Sequence, residues 1–157
     1  MNVDKSKYVG DIISKDGKNT ETIKARVGRG IGIISVIMNI LSNVSLGQYY
    51  FEIAVLLRET MFLSSILLSS ESWVNVTKSD IKELESIDET LLRRILDAPA
   101  KTPLPALYME LGCLRIKHII IKKRLMFLHN ILNCEETRLV KKVFWAQVKS
   151  PVKNDLV

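Results

Sequence analysis

The feature that most constrains the fold is a single β-hairpin pattern at the start of a chain that is otherwise helical. The run Tyr8-Val9-Gly10-Asp11-Ile12-Ile13-Ser14 is partly alternating and β-branched, and Asp16-Gly17 after it suits a tight turn. A lone hairpin is marginal in water unless something packs against it. We therefore predict a mainly α protein, a helical bundle of about five to six helices with a short N-terminal β-hairpin, cut from something larger.

Composition allows one domain with a real core, because 47% of the 157 residues are hydrophobic. We expect residues 1–19 to form the hairpin, residues 20–150 the helical domain and residues 151–157 a frayed tail. Cys113 and Cys134 have no CxxC partner, which favours a reducing compartment. The first residues lack the pattern of a secretory leader, so we expect an intracellular location, in the nucleus or cytoplasm.

Helical periodicity and capping signals divide the rest of the chain. Thr77-Lys78-Ser79-Asp80 is close to a capping box and opens the clearest amphipathic helix. Trp73 is expected to cover the hydrophobic centre. The segment 49–68 is apolar, but its internal charges favour a buried helix over a membrane span. The predicted helices cover about 20–41, 46–68, 77–96, 103–111, 116–132 and 135–149.

Three glycines stand at every second position of the first predicted helix, at Gly28, Gly30 and Gly32. Each disfavours a helix interior by about 1 kcal/mol relative to alanine. Two explanations are open. Either the helix is broken or closely packed there, or its backbone contacts a phosphate.

Two charges fall within apolar helical arcs. Asp88 lies near the centre of the stripe from Ile81 to Leu96. Arg124 lies within the apolar arc of Ile116, Ile120, Phe127, Leu128 and Ile131. A buried, unpaired charge is very unfavourable. Asp88 and Arg124 therefore either form a buried ion pair with each other, or one of them has a different buried partner, or Arg124 contacts nucleic acid.

Charge is concentrated at the two ends of the chain. Residues 1–30 have seven Lys and Arg against four Asp and Glu, and residues 99–157 have eleven against four, whereas residues 31–98 have five against nine. This distribution is compatible with a polyanion-binding track, and equally with solvated helix faces rich in lysine.

Several short motifs, in the same order along the chain, resemble the C-terminal part of a non-LTR (LINE-type) retrotransposon reverse transcriptase, namely its primer-grip hairpin, thumb and post-thumb segments. The resemblance begins with Tyr8-Val9-Gly10 and Ile13-Ser14-Lys15-Asp16-Gly17-Lys18-Asn19. It continues through Tyr50-Phe51-Glu52-Ile53-Ala54, Leu57-Arg58-Glu59, Glu71-Ser72-Trp73, Leu91-Leu92-Arg93-Arg94-Ile95-Leu96, Thr102-Pro103, Ala106-Leu107-Tyr108-Met109-Glu110-Leu111-Gly112 and Phe127-Leu128-His129-Asn130-Ile131-Leu132.

The resemblance implies a non-catalytic fragment that grips a template–primer duplex of RNA or DNA through backbone phosphates, without reading sequence. No Asp-Asp pair is present, so the chain alone is not expected to be an enzyme, to hold a metal or to bind a cofactor. Magnesium would belong to the upstream fingers and palm, which are the expected protein partner. No membrane partner is expected. The expected nucleic-acid-binding residues are Tyr8, Gly10, Lys15, Lys18, Lys24, Arg26, Arg29, Lys122 and Lys123.

A different class of function is a helical protein–protein interaction module that docks through the hairpin flank and the apolar stripe from Ile31 to Leu41. The chain also departs from the family pattern, with Val9 in place of leucine, Arg115 in place of a common proline, and Pro151-Val152-Lys153-Asn154-Asp155-Leu156 at the end. Such departures suggest a decayed retroelement relic with no nucleic-acid role as a further alternative.

Overall fold

The computed structural model describes residues 5–8, 11–14, 19–43, 45–73 and 76–149. Within them the architecture is mainly α with one antiparallel hairpin, so the predicted fold class is confirmed. The predicted tail, 151–157, lies outside these residues. The elements are β1 (Lys5–Tyr8), β2 (Asp11–Ser14), α1 (Thr20–Asn43), a 3₁₀ turn (Gly47–Tyr49), α2 (Tyr50–Leu57), a π-helical segment (Arg58–Leu63), α3 (Ser64–Ile66), a 3₁₀ turn (Ser70–Ser72), α4 (Lys78–Leu96), α5 (Leu104–Glu110), α6 (Ile116–Asn133) and α7 (Leu139–Lys149).

The hairpin pairs β1 with β2, but in a different place from the one predicted. Lys5 lies opposite Ser14 and Tyr8 lies opposite Asp11 in an antiparallel pair of strands. The single strand expected over 8–14 is therefore wrong, and the turn expected at 15–18 lies outside the described residues. The reason is tertiary, because the Thr22 hydroxyl on α1 bonds both the N–H and the C=O of Ile12 and holds β2 against the helix.

The second predicted helix is an almost continuous rod with a π-helical segment in its middle. A π-helical turn closes i→i+5 hydrogen bonds and is wider than an α-helical turn. Positions four residues apart consequently remain on one side of the rod. This buried row runs through Ala54, Arg58, Phe62, Ile66 and Ser70.

The main core lies between α1, the π-helical segment, α4 and the first half of α6. Its centre includes Ile37 of α1, Phe62 of the π-helical segment and Leu84 of α4, all fully buried. Trp73 is buried in the same cluster, as predicted. A smaller cluster joins Leu92 of α4 to α5.

By length and composition α1 could also span a membrane, a property that packed central helices of globular proteins share.

Helix α4 forms as its sequence predicts. The Thr77 side chain accepts from the Asp80 backbone N–H, and the Asp80 carboxylate accepts from the Thr77 N–H, which completes the capping box. The predicted arc, including Asp88, faces inward. α4 lies between α1 and α6, because Ile87 packs beside Gly30 of α1 whereas Glu85 pairs with Arg115 at the start of α6.

Helix α7 begins at Leu139 and not near Glu135 as expected, because Glu135 to Arg138 form a turn closed by a backbone hydrogen bond. Lys141 is buried, and its ammonium donates to the carbonyl oxygens of Leu132 and Cys134 at the end of α6. That contact fixes the two helices together and satisfies carbonyls that the helix end leaves without partners.

Candidate nucleic-acid interface

Helix α1 presents a solvent-facing side of small residues that carries the cation Lys24 and, in its first turn, the exposed carboxylate of Glu21. Lys24, Gly28, Gly32 and Ser35 lie within an arc of about 80° at 100° per residue, and all are exposed. Arg29 is exposed as well, farther around the helix. Two of the predicted phosphate-binding residues, Lys24 and Arg29, are therefore accessible on α1.

The three glycines of α1 divide into two kinds, and the helix runs through them unbroken. A Cβ on Gly30 would lie 2.9 Å from Cδ1 of Ile87 and 3.2 Å from Cγ2 of Ile66. Gly30 thus serves close packing, one of the alternatives predicted. A Cβ on Gly28 or Gly32 would meet no atom within 4 Å. Packing within the described fold explains neither of these two.

A groove of about 700 Å³ runs between α1 and α4 beside this face. Its floor is apolar and includes Val27, Ile34 and Ile87, while its α4 rim is made of exposed cations, hydroxyls and one carboxylate, that of Glu83. Lysine, arginine and hydroxyl side chains are the types that most often bond to phosphate oxygens. We call the α1–α4 surface the set Lys24, Gly28, Gly32 and Ser35 on α1 with Lys82, Ser86, Thr90 and Arg94 on α4.

Arg26 was expected to contact phosphate, and the structure corrects that prediction. Its side chain is 1% exposed and donates to the Asp11 carboxylate at 2.6 Å and to the Ser65 carbonyl at 2.8 Å. By rotation it lies on the buried side of α1 with Ile23 and Ile37, where it joins β2 to the end of α3. A guanidinium held in this way is not available to an external phosphate.

The remaining predicted contacts are dispersed. Gly10, Lys15, Lys18 and the side chain of Tyr8 lie outside the described residues. On α6, Lys122 is exposed, but the Lys123 ammonium donates to the Leu67 carbonyl at 2.9 Å. Lys123 therefore has a structural role that the sequence prediction missed.

The described basic residues of the two ends lie on helices that contact different sides of α4. Ile87 and Glu85, which mark the α1 and α6 contacts of α4, are two residues apart and so point about 160° apart. Lys24 and Lys122 therefore belong to helices on different sides of α4.

The predicted ion pair between Asp88 and Arg124 is not formed. Asp88 is fully buried and pairs with Arg58, which is 1% exposed, through Nε to Oδ1 at 2.8 Å and Nη2 to Oδ2 at 2.7 Å. The half-buried Arg124 instead donates to the Trp73 carbonyl at 2.6 Å. The alternative that one of the two residues has a different buried partner is confirmed for Asp88.

The buried pair belongs to a larger cluster. The Tyr108 hydroxyl donates to Oδ2 of Asp88 at 2.9 Å, and Nη2 of Arg58 also donates to the Leu114 carbonyl at 3.1 Å. The cluster therefore joins the π-helical segment, α4, α5 and the turn before α6. Burial raises the pKa of the Tyr108 phenol, and the Asp88 carboxylate raises it further.

Sequence reasoning missed Arg58 as the partner of Asp88, although the signal was present. Arg58 is the one cation between residues 31 and 76 and lies in an otherwise apolar helix. The same criterion, a lone charge in apolar surroundings, had singled out Asp88. Burial lowers the pKa of Arg58, but its hydrogen bonds and charge interaction with Asp88 more than offset this and leave the pKa raised.

Three further features bear on metal binding, thiol chemistry and protein docking in the described part of the chain. There, no three His, Cys, Asp or Glu side chains lie close enough to hold a metal ion. Cys113 and Cys134 are free thiols, and burial raises the pKa of Cys113. The apolar stripe from Ile31 to Leu41, expected to dock a partner, is divided: Ile34, Ile37 and Leu41 are buried, whereas Ile31 is 62% and Val36 48% exposed.

Comparison with protein-family models, with curated proteins and with solved structures found no match.

Proposed function

We propose that this chain is a non-catalytic part of a retrotransposon reverse transcriptase, an RNA-directed DNA polymerase, that grips template–primer nucleic acid through backbone phosphates. Two lines of support converge. The motifs from Tyr8 to Leu132 resemble that family in order and over most of the chain. The structure independently gives the α1–α4 surface the residue types that bind a sugar–phosphate backbone.

The observation that carries the proposal is the pair of exposed glycines, Gly28 and Gly32, next to Lys24. Each glycine disfavours helix formation by about 1 kcal/mol, and nothing in the described fold lies within 4 Å of the missing Cβ. A helix face without side chains lets another backbone come close. Cations at its edge would attract an anionic backbone in particular.

Residues on α4 extend this face across the groove. Lys82 and Arg94 stand 12 positions apart, which corresponds to about 18 Å along the helix. Between them, the hydroxyls of Ser86 and Thr90 are exposed. A backbone lying in the groove would meet a cation near each end and hydroxyls between, contacts that position a duplex without reading its sequence.

The proposed grip is smaller than the sequence predicts. It keeps Lys24 and adds Lys82 and Arg94. It leaves out Arg29, which lies farther around α1, and the basic set of α6, which contacts another side of α4. Under this proposal the catalytic carboxylates and their magnesium belong to an upstream palm, against which the hairpin would pack. The site of action would be the nucleus or the cytoplasm, wherever the template–primer is found.

Fluorescence anisotropy with a labelled RNA–DNA hybrid duplex tests the proposal. We expect Lys24→Ala, Lys82→Ala and Arg94→Ala each to weaken binding about fivefold, the equivalent of ~1 kcal/mol. Lys122→Ala removes the same charge from an exposed position on α6 and is the matched control. We expect it to leave the affinity unchanged. Equal losses in all four variants would mean diffuse attraction to net charge and would contradict a localised grip.

A further inference from the structure

Helix α6 carries a narrow apolar stripe on the side that faces solvent. Its members are spaced three and four residues apart in alternation, the heptad spacing of a coiled-coil seam. At 100° per residue they fall within an arc of about 80°. The α6 stripe consists of His118, Ile121, Leu125, Leu128 and Leu132.

The described fold leaves most of this stripe exposed, although Leu128 is half-buried. Of the buried residues of α6, Ile116 and Ile120 lie on the other side of the helix, and Ile131 lies beside the stripe. With α7 in place, Leu125 is still 60% exposed, and Ile121 and Leu132 are 45% exposed. Aliphatic side chains aligned in this way on one helix indicate a partner surface more strongly than scattered exposed residues do.

The charge beside the stripe restricts the kind of partner. Residues 116–134 contain no Asp or Glu. In a coiled coil the flanking e and g positions decide which helices pair. On α6 these positions are occupied by Lys117, Lys122, Arg124, His129 and Ile131. The exposed cations among them are Lys117 and Lys122, one on each side of the stripe, whereas Arg124 is half-buried and bonded to the Trp73 carbonyl.

A groove of about 510 Å³ adjoins the stripe at Ile121, between α6 and the start of α4. Its lining has no carboxylate, so it repeats the combination of apolar surface and positive charge found along the stripe. The apolar lining residues are Val76, Ile81, Ile120 and Ile121, and the cationic ones are Lys78, Lys117 and Arg124.

From this arrangement we propose that the α6 stripe docks an amphipathic α-helix of another protein whose leucine-type seam is flanked by Glu or Asp. Apolar burial along the seam would supply affinity, and the carboxylates would meet the cationic flanks and select the partner. The stripe lies on α6 and the proposed nucleic-acid grip on α1 and α4, so the two proposals stand or fall separately.

Three other occupants fit the observations less well. A second copy would bring cationic flanks against cationic flanks in either orientation, which disfavours pairing. A nucleic-acid backbone gains nothing from exposed leucines. A membrane surface prefers a helix with one apolar and one polar face, whereas α6 also exposes Met126 and Phe127 away from the stripe.

A designed three-heptad peptide with Leu at a and d and Glu at e and g is the probe for this surface. We expect it to bind the full chain and to become helical on binding, as followed by circular dichroism and calorimetry. Leu125→Ser and Leu132→Ser should each weaken binding at least tenfold. Met109→Ser, at an apolar position of α5 that is 80% exposed, is the matched control and should have no effect.

A charge exchange tests the choice of partner. Lys117→Glu with Lys122→Glu should weaken binding of the acidic peptide at least tenfold, and the same peptide with Lys at e and g should then bind the double variant. Binding that does not depend on Leu125, or equal binding of a peptide with Ser at a and d, would overturn the proposal. Leu125-dependent dimerisation, or Leu125-dependent binding to phosphatidylserine vesicles without peptide binding, would overturn it as well.

Discussion

At the scale of single residues, the Asp88 carboxylate depends on its partners, because a buried charge needs hydrogen bonds and an opposite charge. It is fully buried and accepts two hydrogen bonds from the Arg58 guanidinium and one from the Tyr108 hydroxyl. A buried ion pair often adds little net stability compared with apolar residues of the same shape. Removing one partner is different, because it leaves the other charge buried and unpaired.

We predict that Arg58→Met and Asp88→Leu each lower the free energy of unfolding by about 3–5 kcal/mol, and that the double variant loses less than the sum. Urea denaturation of the four proteins measures this. Glu89→Gln is the control, because it breaks the more exposed pair of Glu89 with Arg93 on the same helix. That change should lower the free energy of unfolding by less than about 1 kcal/mol. Single-variant losses as small as the control's would contradict the importance of the buried pair.

The Tyr108 hydroxyl makes the free energy of unfolding decrease with pH in the alkaline range. Its pKa in the folded protein is raised above the ordinary value of 10.0, so folding favours the neutral phenol. That contribution is fully present below the ordinary pKa and is lost as the pH rises through the folded value. We expect Tyr108→Phe to lower the free energy of unfolding by about 1.5–3 kcal/mol at pH 8, through loss of a hydrogen bond to a charged group.

Above about pH 10 the difference in free energy of unfolding between wild type and Tyr108→Phe should become smaller. The unfolded wild-type protein is then stabilised by ionisation of its Tyr108 phenol, which the variant lacks. Urea midpoints measured in parallel at pH 8 and at higher pH give the comparison, and lysine titration cancels between the two proteins. A difference that stays constant over this range would contradict the burial of the hydroxyl against Asp88.

At the scale of the helices, the glycines of α1 have different surroundings: Gly30 is packed against other side chains, whereas Gly28 and Gly32 face open space. We predict that Gly28→Ala and Gly32→Ala each raise the free energy of unfolding by about 0.5–1 kcal/mol, because the added Cβ meets nothing and helix propensity improves. Gly30→Ala should lower it by about 1–3 kcal/mol, because its Cβ would clash with Ile87. Thermal or urea unfolding of the three variants measures this. Equal effects at all three positions would contradict the assignment.

How far sequence predicted each element depended on whether its signals were local. The α4 helix was predicted well, because the Thr77–Asp80 capping box and the apolar period both lie within it. The π-helical segment was not, because its wider turn changes the helical phase: the row from Ala54 to Ser70 stays on one side, where α-helical spacing would turn it by about 160°. The hairpin register was missed because contacts with another element, such as the hydrogen bonds between Ile12 of β2 and Thr22 of α1, are not visible in the strand pattern.

At the scale of the whole molecule, α4 separates two surfaces of different character. One is the α1–α4 surface, with exposed glycines, hydroxyls and cations. The other is the apolar α6 stripe with its cationic flanks. Sequence placed basic residues at both ends of the chain, but it could not show that α1 and α6 contact opposite sides of α4, since that depends on packing between distant segments.

The salt dependence of duplex binding tests the central claim most directly, because each neutralised phosphate contributes about −0.9 to the slope of log affinity against log salt concentration for B-form DNA. The measurement compares wild type, the triple variant Lys24→Ala/Lys82→Ala/Arg94→Ala and the Lys122→Ala control. The account predicts a slope about 2–3 units shallower for the triple variant and an unchanged slope for the control. A triple variant with the slope of the wild type would contradict it.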